Sequence, residues 1–370
     1  MVRVMAVIAM VGDIFLQNSL PQSSALAAVA QVLQSADIAF GNLETPVSER
    51  GAAVEKWINM RMPPKLLSEV EAMGFKALTV ANNHMMDYGE LAFIDTLNHL
   101  DDHQIAYVGA GLNLKQAWQA KILSVGDVQL ALVGAASTLG PGLAAADNRP
   151  GVAPIHVAES YHVDAAASME QPGSAPYVFT RAWQEDLDRA VQAVEGAARE
   201  ADWVVAALHW GVPPIWRSRF QDGLADYQIE VGRALIEAGA DVIVGHHPHS
   251  LQAVEVYRGK PIFYSLGNFL FHHNQQPVQQ TIVNRHAPYV LNALRDRIWS
   301  ETIILVVDTN EMAYVMHPVL LDESGNPALL QGSEANALIE RLAAMSPNAD
   351  IRFRDGLGHL LLAQKISYGD

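Results

Sequence analysis

The chain has 370 residues, 50% hydrophobic and 17% charged, which is enough apolar material for one large core or two modest ones and excludes a disordered or fibrous protein. With 24 basic against 40 acidic residues the formal charge is -16, which argues against nucleic acid or an anionic membrane as a partner and leaves room only for a local basic patch that takes an anion. The absence of cysteine excludes disulfides, thiolate metal sites and cysteine nucleophiles.

The opening MVRVMAVIAMVGD has a short apolar run without a small-residue cleavage site, and it predicts a buried first strand, Val4 to Val11, rather than a secretion signal. A helix over about Ser24 to Gln34, a strand Asp37 to Phe40, a helix Pro64 to Met73 and a strand Ala77 to Val80 follow. The alternation continues through a helix Glu90 to His103, a strand Ala106 to Val108, a hairpin centred on Gly126-Asp127, a helix Arg181 to Ala201 and an apolar strand Trp203 to Leu208. A helix Asp226 to Ala238 and a strand Asp241 to Val244 close a series typical of βαβ units. Strands joined by tight turns come next: Leu251 to Tyr257, the Arg258-Gly259 turn, Pro261 to Leu266, Glu301 to Val307 and Ala313 to Leu320. A single α/β domain over residues 1–370 is expected, interrupted by two segments with the character of a lid or surface insertion, 138–176 and 271–299. No stretch approaches the roughly 18 apolar residues of a membrane span. The expected location is therefore cytoplasmic, or extracytoplasmic if a precursor segment is removed.

The strongly apolar strands end in polar clusters: Gly12-Asp13, Gly41-Asn42-Leu43-Glu44, Ala81-Asn82-Asn83-His84, His209-Trp210-Gly211 and Gly245-His246-His247-Pro248-His249. In open α/β sheets the carboxyl ends of strands converge on the ligand-binding edge, so these five clusters should meet. Carboxylate and amide oxygens with imidazole nitrogens suit a divalent cation. If 247–249 is extended, His247 and His249 point the same way and His246 points the other, as a residue behind the ligands.

The segments VGDIFLQ, GNLETPVS, ANNHMMDYG, HWG and GHHPHSLQAVEVYRGKPIFYSLGNF, from Val11 to Phe269, resemble the capsule and poly-γ-glutamate synthesis proteins called CapA or PgsA, within the calcineurin-like metallophosphoesterases. The resemblance implies two packed mixed β-sheets flanked by helices, an αββα sandwich. It also implies one or two divalent ions (Mn, Fe, Zn, Mg or Ca) held by Asp13, Glu44, Asn83, His209, His247 and His249, with Glu44 shared. His84 matches the histidine that faces the reacting group, and Asp87, three residues on, would orient it if a helix starts there. Asn42 and Asn82 stand beside the ligands. The superfamily's first motif is Asp-x-His, whereas this chain has Phe15, and its second-motif aspartate is Glu44. One of two metal positions is thereby weakened, and His272 or His273 is a candidate to restore it.

Arg61, Arg217 and Arg219 are candidate anion binders. Trp210 and Trp216 are candidates either for an apolar wall over the metal or for the core. Asn268 should organise a loop near the substrate. Three functions fit: a metal-dependent hydrolase of a phosphoester or amide, a metal-linked acid/base epimerase acting on a peptide, and a non-catalytic accessory protein for polyglutamate or capsule synthesis. The substrate or partner is then a small molecule, a peptide or a polyglutamate-like polymer.

Overall fold

The computed structural model describes residues 6–362 apart from 57, 127, 175, 212–222 and 273–296. Two mixed sheets form its centre. Among the described residues the larger has ten strands, eight of them in the order Asp350–Arg354, Leu357–Leu361, Ala313–Leu321, Glu301–Asp308, Val7–Phe15, Ile38–Leu43, Phe75–Thr79 and Ala106–Val108. Asn268–Phe271 pairs in parallel with the last residues of Val7–Phe15, and Pro327–Leu329 pairs with Ala313–Leu321. The smaller sheet runs Val254–Tyr257, Lys260–Phe263, Val242–His246, Trp203–His209, Val128–Ala136 and Lys121–Val125.

Side-chain alternation explains the layering. Ile8 and Met10 of the first strand join Val205 and Ala207 of Trp203–His209 in a core between the sheets, while Ala9 and Val11 face a second core under helices Ser24–Gln34 and Gly89–Asp102. Val204, Ala206 and Leu208 face a third core, under Gln184–Glu200 and Asp226–Ala238. These strands are buried on both faces, which is why they read as continuous apolar runs. Each fully buried aliphatic side chain contributes about 1.5–3 kcal/mol. The result is the expected helix–sheet–sheet–helix order.

Several elements differ from expectation. The first strand continues to Phe15 through a bulge at Asp13/Ile14, so Asp13 lies within it. Residues 138–176 are more ordered than a Gly/Pro/Ser-rich loop: Gly151–Val152 pairs with Ala110–Gly111, and Val157–His162 forms a hairpin with Tyr177–Ala182, with helix Ala165–Glu170 between its strands. That hairpin takes Arg181 out of the following helix, which starts at Gln184. Helix Gly332–Met345 and the hairpin Asp350–Arg354/Leu357–Leu361, which extends the larger sheet, were not expected. Most of segment 271–299, with His273, His286, Arg285 and Arg295, lies outside the described residues.

Candidate metal centre

Parallel strands of both sheets deliver the polar clusters to one edge. Gly12 permits a close approach there: a Cβ on it would lie 1.8 Å from Gly267 O, the carbonyl that accepts the Asp13 N–H at 2.9 Å. The Asp13 carboxylate consequently lies wholly buried between the sheets, and His246 Nε2 reaches across to Val11 O at 3.2 Å. Glu44 follows Ile38–Leu43, and His209 ends Trp203–His209. The loop after Val242–His246 is not extended. His247 and His249 both adopt positive φ, 93° and 56°, so their rings meet at a 5.9 Å centroid separation through backbone strain and not through strand alternation.

Glu44 stands at the middle of the cluster, fully buried, with no hydrogen-bond partner on either carboxylate oxygen. His209 Nε2, His249 Nε2 and His84 Nε2 lie 3.5, 3.6 and 3.9 Å from its Oε1. Two three-residue groups share it, Asp13–Glu44–His209 and Glu44–His247–His249, each with its donor atoms within 4.8 Å of one another. Asn83 Oδ1 lies 2.8 Å from His209 Nε2. Donors sharing an ion at bonds of about 2.1 Å stand roughly 3–3.5 Å apart, and the His209 and His249 nitrogens, 3.5 and 3.6 Å from Glu44 Oε1, come close to the spacing that a divalent cation needs.

Burial dominates the electrostatics of the cluster. Burial, then the Asp13 charge, pushes the Glu44 carboxyl well above its usual range. Burial holds the His209 imidazole well below its usual range and pushes His247 down to about 3; His246 is lowered for the same reason. Asp13 is raised by burial but lowered more by its bond to His249 and by the neighbouring imidazoles, and its net shift is downward. Neutral imidazoles and an ionised Asp13 are the protonation states that metal ligands need, whereas burial favours the protonated form of Glu44, which a bound cation would have to displace.

The residues behind the candidate ligands are tied together. Asn42 Nδ2 donates to Asp13 Oδ1 at 2.8 Å and lies 3.2 Å from His209 Nδ1. Asn82 Nδ2 donates to Asn42 Oδ1 (3.1 Å) and Leu43 O (2.8 Å), and its Oδ1 accepts from His84 N (3.1 Å). Asn268 Oδ1 lies 2.8 Å from His249 Nδ1, and its Nδ2 donates to Trp299 O. Such contacts fix tautomer and ring orientation.

Beside this cluster, His84 Nδ1 lies 2.6 Å from Asp87 Oδ2. Lys56 Nζ donates to Asp87 Oδ1 at 2.6 Å and to Asn83 O at 2.7 Å, and Met60 N donates to Asp87 Oδ2. Burial lowers the His84 imidazole against the opposing Asp87 bond. With Nδ1 engaged by Asp87, Nε2 faces the cluster, 3.9 Å from Glu44 Oε1.

The model of the family described as "Bacterial capsule synthesis protein PGA_cap" matches residues 7–273. The chain belongs to this family. It is 34% identical over 247 residues to the PGA biosynthesis protein CapA of Bacillus subtilis (strain 168), a match covering 66% of this chain and 55% of that protein. It is 29% identical over 250 residues to a probable polyglutamine synthesis accessory protein of Mycobacterium tuberculosis (strain CDC 1551 / Oshkosh), covering 67% and 58% respectively. The chain thus spans a little over half the length of these two relatives. Among solved structures, a novel phosphatase from Mycoplasma pneumoniae aligns over 88% of this chain and 91% of its own, with TM-score 0.41 and 10% identity. Among the described residues no helix is long and apolar enough to cross a membrane.

Within this family member the remaining expected residues divide. Arg61 is half-buried with its guanidinium 4.1 Å over the Tyr88 ring, next to the His84–Asp87 turn. Trp210 lies in the core and not over the candidate centre. It is 1% exposed, donates to Tyr264 O at 2.8 Å and stacks on the Tyr264 ring in the core under the helices of the smaller sheet. His272 does not join the cluster either: its Nδ1 accepts from Gln17 N at 3.2 Å and its Nε2 lies 3.2 Å from Asn326 Oδ1. Phe15 packs edge-on against Phe271 in the helix-side core. Trp216, Arg217 and Arg219 lie outside the described residues. Sequence reasoning missed Lys56 and Trp299, which stacks on His249 at 5.6 Å; neither sits in a motif that would signal it.

Proposed function

We propose that this protein is a metal-dependent hydrolase of a phosphoester or amide, working in the capsule or polyglutamate metabolism named for its relatives. The observation that carries this is Glu44, a buried carboxylate without a hydrogen-bond partner, with three imidazole Nε2 atoms 3.5, 3.6 and 3.9 Å from its Oε1. Leaving such a group uncompensated is costly, and a cation is the natural counterpart. Asp13, Glu44, Asn83, His209, His247 and His249 would hold one or two ions sharing Glu44, and their imidazoles favour Zn, Fe or Mn over Mg or Ca. When bound, the ion polarises a phosphoryl or carbonyl oxygen and makes water acidic enough to attack near neutral pH.

The chain's own contribution is at His84. Asp87 holds Nδ1–H, which leaves Nε2 to exchange a proton with the leaving group or the attacking water. Lys56 bonds both Asp87 and the Asn83 carbonyl and keeps the pair in register with a proposed ligand. Arg61, over the Tyr88 ring beside this pair, would meet an anionic group of the substrate.

The test is metal content by elemental mass spectrometry for the wild type and His247→Ala, together with turnover of p-nitrophenyl phosphate and a γ-glutamyl peptide. An ion that the wild type holds and the variant loses, with turnover of either substrate, is expected. Failure of both proteins to bind metal after reconstitution would falsify the assignment. Deuterium uptake into an uncleaved peptide would instead mark epimerisation. The name of the mycobacterial relative supports a second reading, a non-catalytic accessory protein; poly-γ-glutamate binding by the chelated protein would favour it.

A further inference from the structure

An open cleft of about 460 Å³ is lined by Asn83 and His247 of the candidate centre together with Thr138, Leu139 and Gly140. His156, Val157, Glu159 and Trp183 also line it. The His156 and Trp183 rings stack at 4.9 Å and 28°. This pair is braced from behind: buried Asp186 receives both His156 Nδ1 (2.6 Å) and His156 N (2.9 Å), and Trp183 N donates to His156 O at 2.8 Å. Trp183 is nevertheless 55% exposed, and an indole held rigid and left in solvent beside a candidate reaction centre is placed for a ligand. Thr138 Oγ1, in the same cleft, is buried without a hydrogen-bond partner.

Charge narrows the ligand. Among the described residues, those lining the cleft include Glu159 and no Lys or Arg. From these residues a polyanionic chain would meet one like charge and no guanidinium or ammonium.

We infer that this cleft receives the leaving portion of the substrate and that this portion is an uncharged aromatic or sugar ring packed against the His156–Trp183 pair. The inference rests on the hydrolase assignment and adds to it the substrate class. The arm Val157–His162/Tyr177–Ala182 and the turn into helix Gln184–Glu200 are then the specificity element.

Calorimetric titration of the metal-loaded full chain with phenylphosphonate, methylphosphonate and 4-carboxyphenylphosphonate tests this. Phenylphosphonate should bind roughly five- to tenfold tighter than methylphosphonate. The carboxylated ring should bind more weakly than the plain one. Trp183→Ala should erase most of the phenyl advantage and leave methylphosphonate unchanged. Equal affinity for phenyl and methyl, an advantage that survives Trp183→Ala, or a preference for the carboxylated ring overturns the inference. So does failure of all three to bind. Metal content and p-nitrophenyl phosphate turnover of the same sample report separately whether the hydrolase assignment stands.

Discussion

His84 Nδ1 and Asp87 Oδ2 meet at 2.6 Å across a turn, closed by the Asp87 N–H to His84 O bond at 3.0 Å, and the helix begins only at Gly89. The pairing therefore depends on local turn geometry and on Lys56, which holds the other Asp87 oxygen. His84→Gln should lower turnover by about 10²–10⁴-fold, the usual worth of a positioned acid/base. Asp87→Asn, which orients without charge, should cost about 10–100-fold. Both variants should keep the metal content of the wild type, measured on the same preparations; loss of the ion would mean that the pair supports the ligands instead.

Glu44 makes an opposite-signed prediction for stability. Its folded-state carboxyl sits well above the ordinary 4.5, so without metal it contributes stability below about pH 4.5 that is lost as pH rises toward its folded value. In chelator the charge is a burden at neutral pH. Glu44→Gln should then make the metal-free protein more stable by about 1–3 kcal/mol at pH 7. Thermal unfolding with and without added Zn or Mn measures it: wild type should gain stability from the metal, and the variant should gain little. A metal-free variant less stable than metal-free wild type would contradict the idea that Glu44 awaits a cation.

Much of this was legible in the chain, because strands buried on both faces are continuous apolar runs and their polar ends stand out against them. The site depends on exceptions that periodicity does not encode. Asp13 reaches the centre through a bulge, and His247 and His249 converge through positive φ. Lys56 arrives from a loop far from any strand end, and no pattern marks it. The Asp355-Gly356 turn is written as clearly as Arg258-Gly259, with both residues at positive φ in each, yet the strands beside it have only five residues each, and the outer one, Asp350–Arg354, is mostly charged. Residues 138–176 look like a loop by composition, since the exposed hairpin that begins within them buries too little to require an apolar pattern.

Asp95 on helix Gly89–Asp102 ties down the chain after Glu44. It accepts from Ser48 Oγ at 2.7 Å and Arg50 Nε at 2.8 Å, and the Arg50 bond, opposed by burial, takes its carboxyl to about 2. A depressed carboxyl contributes stability present above its ordinary 3.8 and lost as pH falls toward 2. Because the Arg50 side chain is 63% exposed, solvent screening reduces the contribution to about 1 kcal/mol. Asp95→Asn should be less stable than wild type at pH 7 and should lose less between pH 4 and pH 2, followed by urea unfolding across that range. Parallel acid limbs would show that this clamp carries no net stability.

Trp210 separates a packing role from a binding one. Its ring is stacked on Tyr264 at 5.6 Å and its Nε1–H satisfies the Tyr264 carbonyl, although its neighbour His209 lies in the candidate centre. Trp210→Phe keeps an aromatic ring but leaves that buried carbonyl without its donor, a loss of about 1–3 kcal/mol. The expected outcome is a lower urea midpoint with KM unchanged for whichever substrate the wild type turns over. A raised KM at unaltered stability would return Trp210 to the substrate wall.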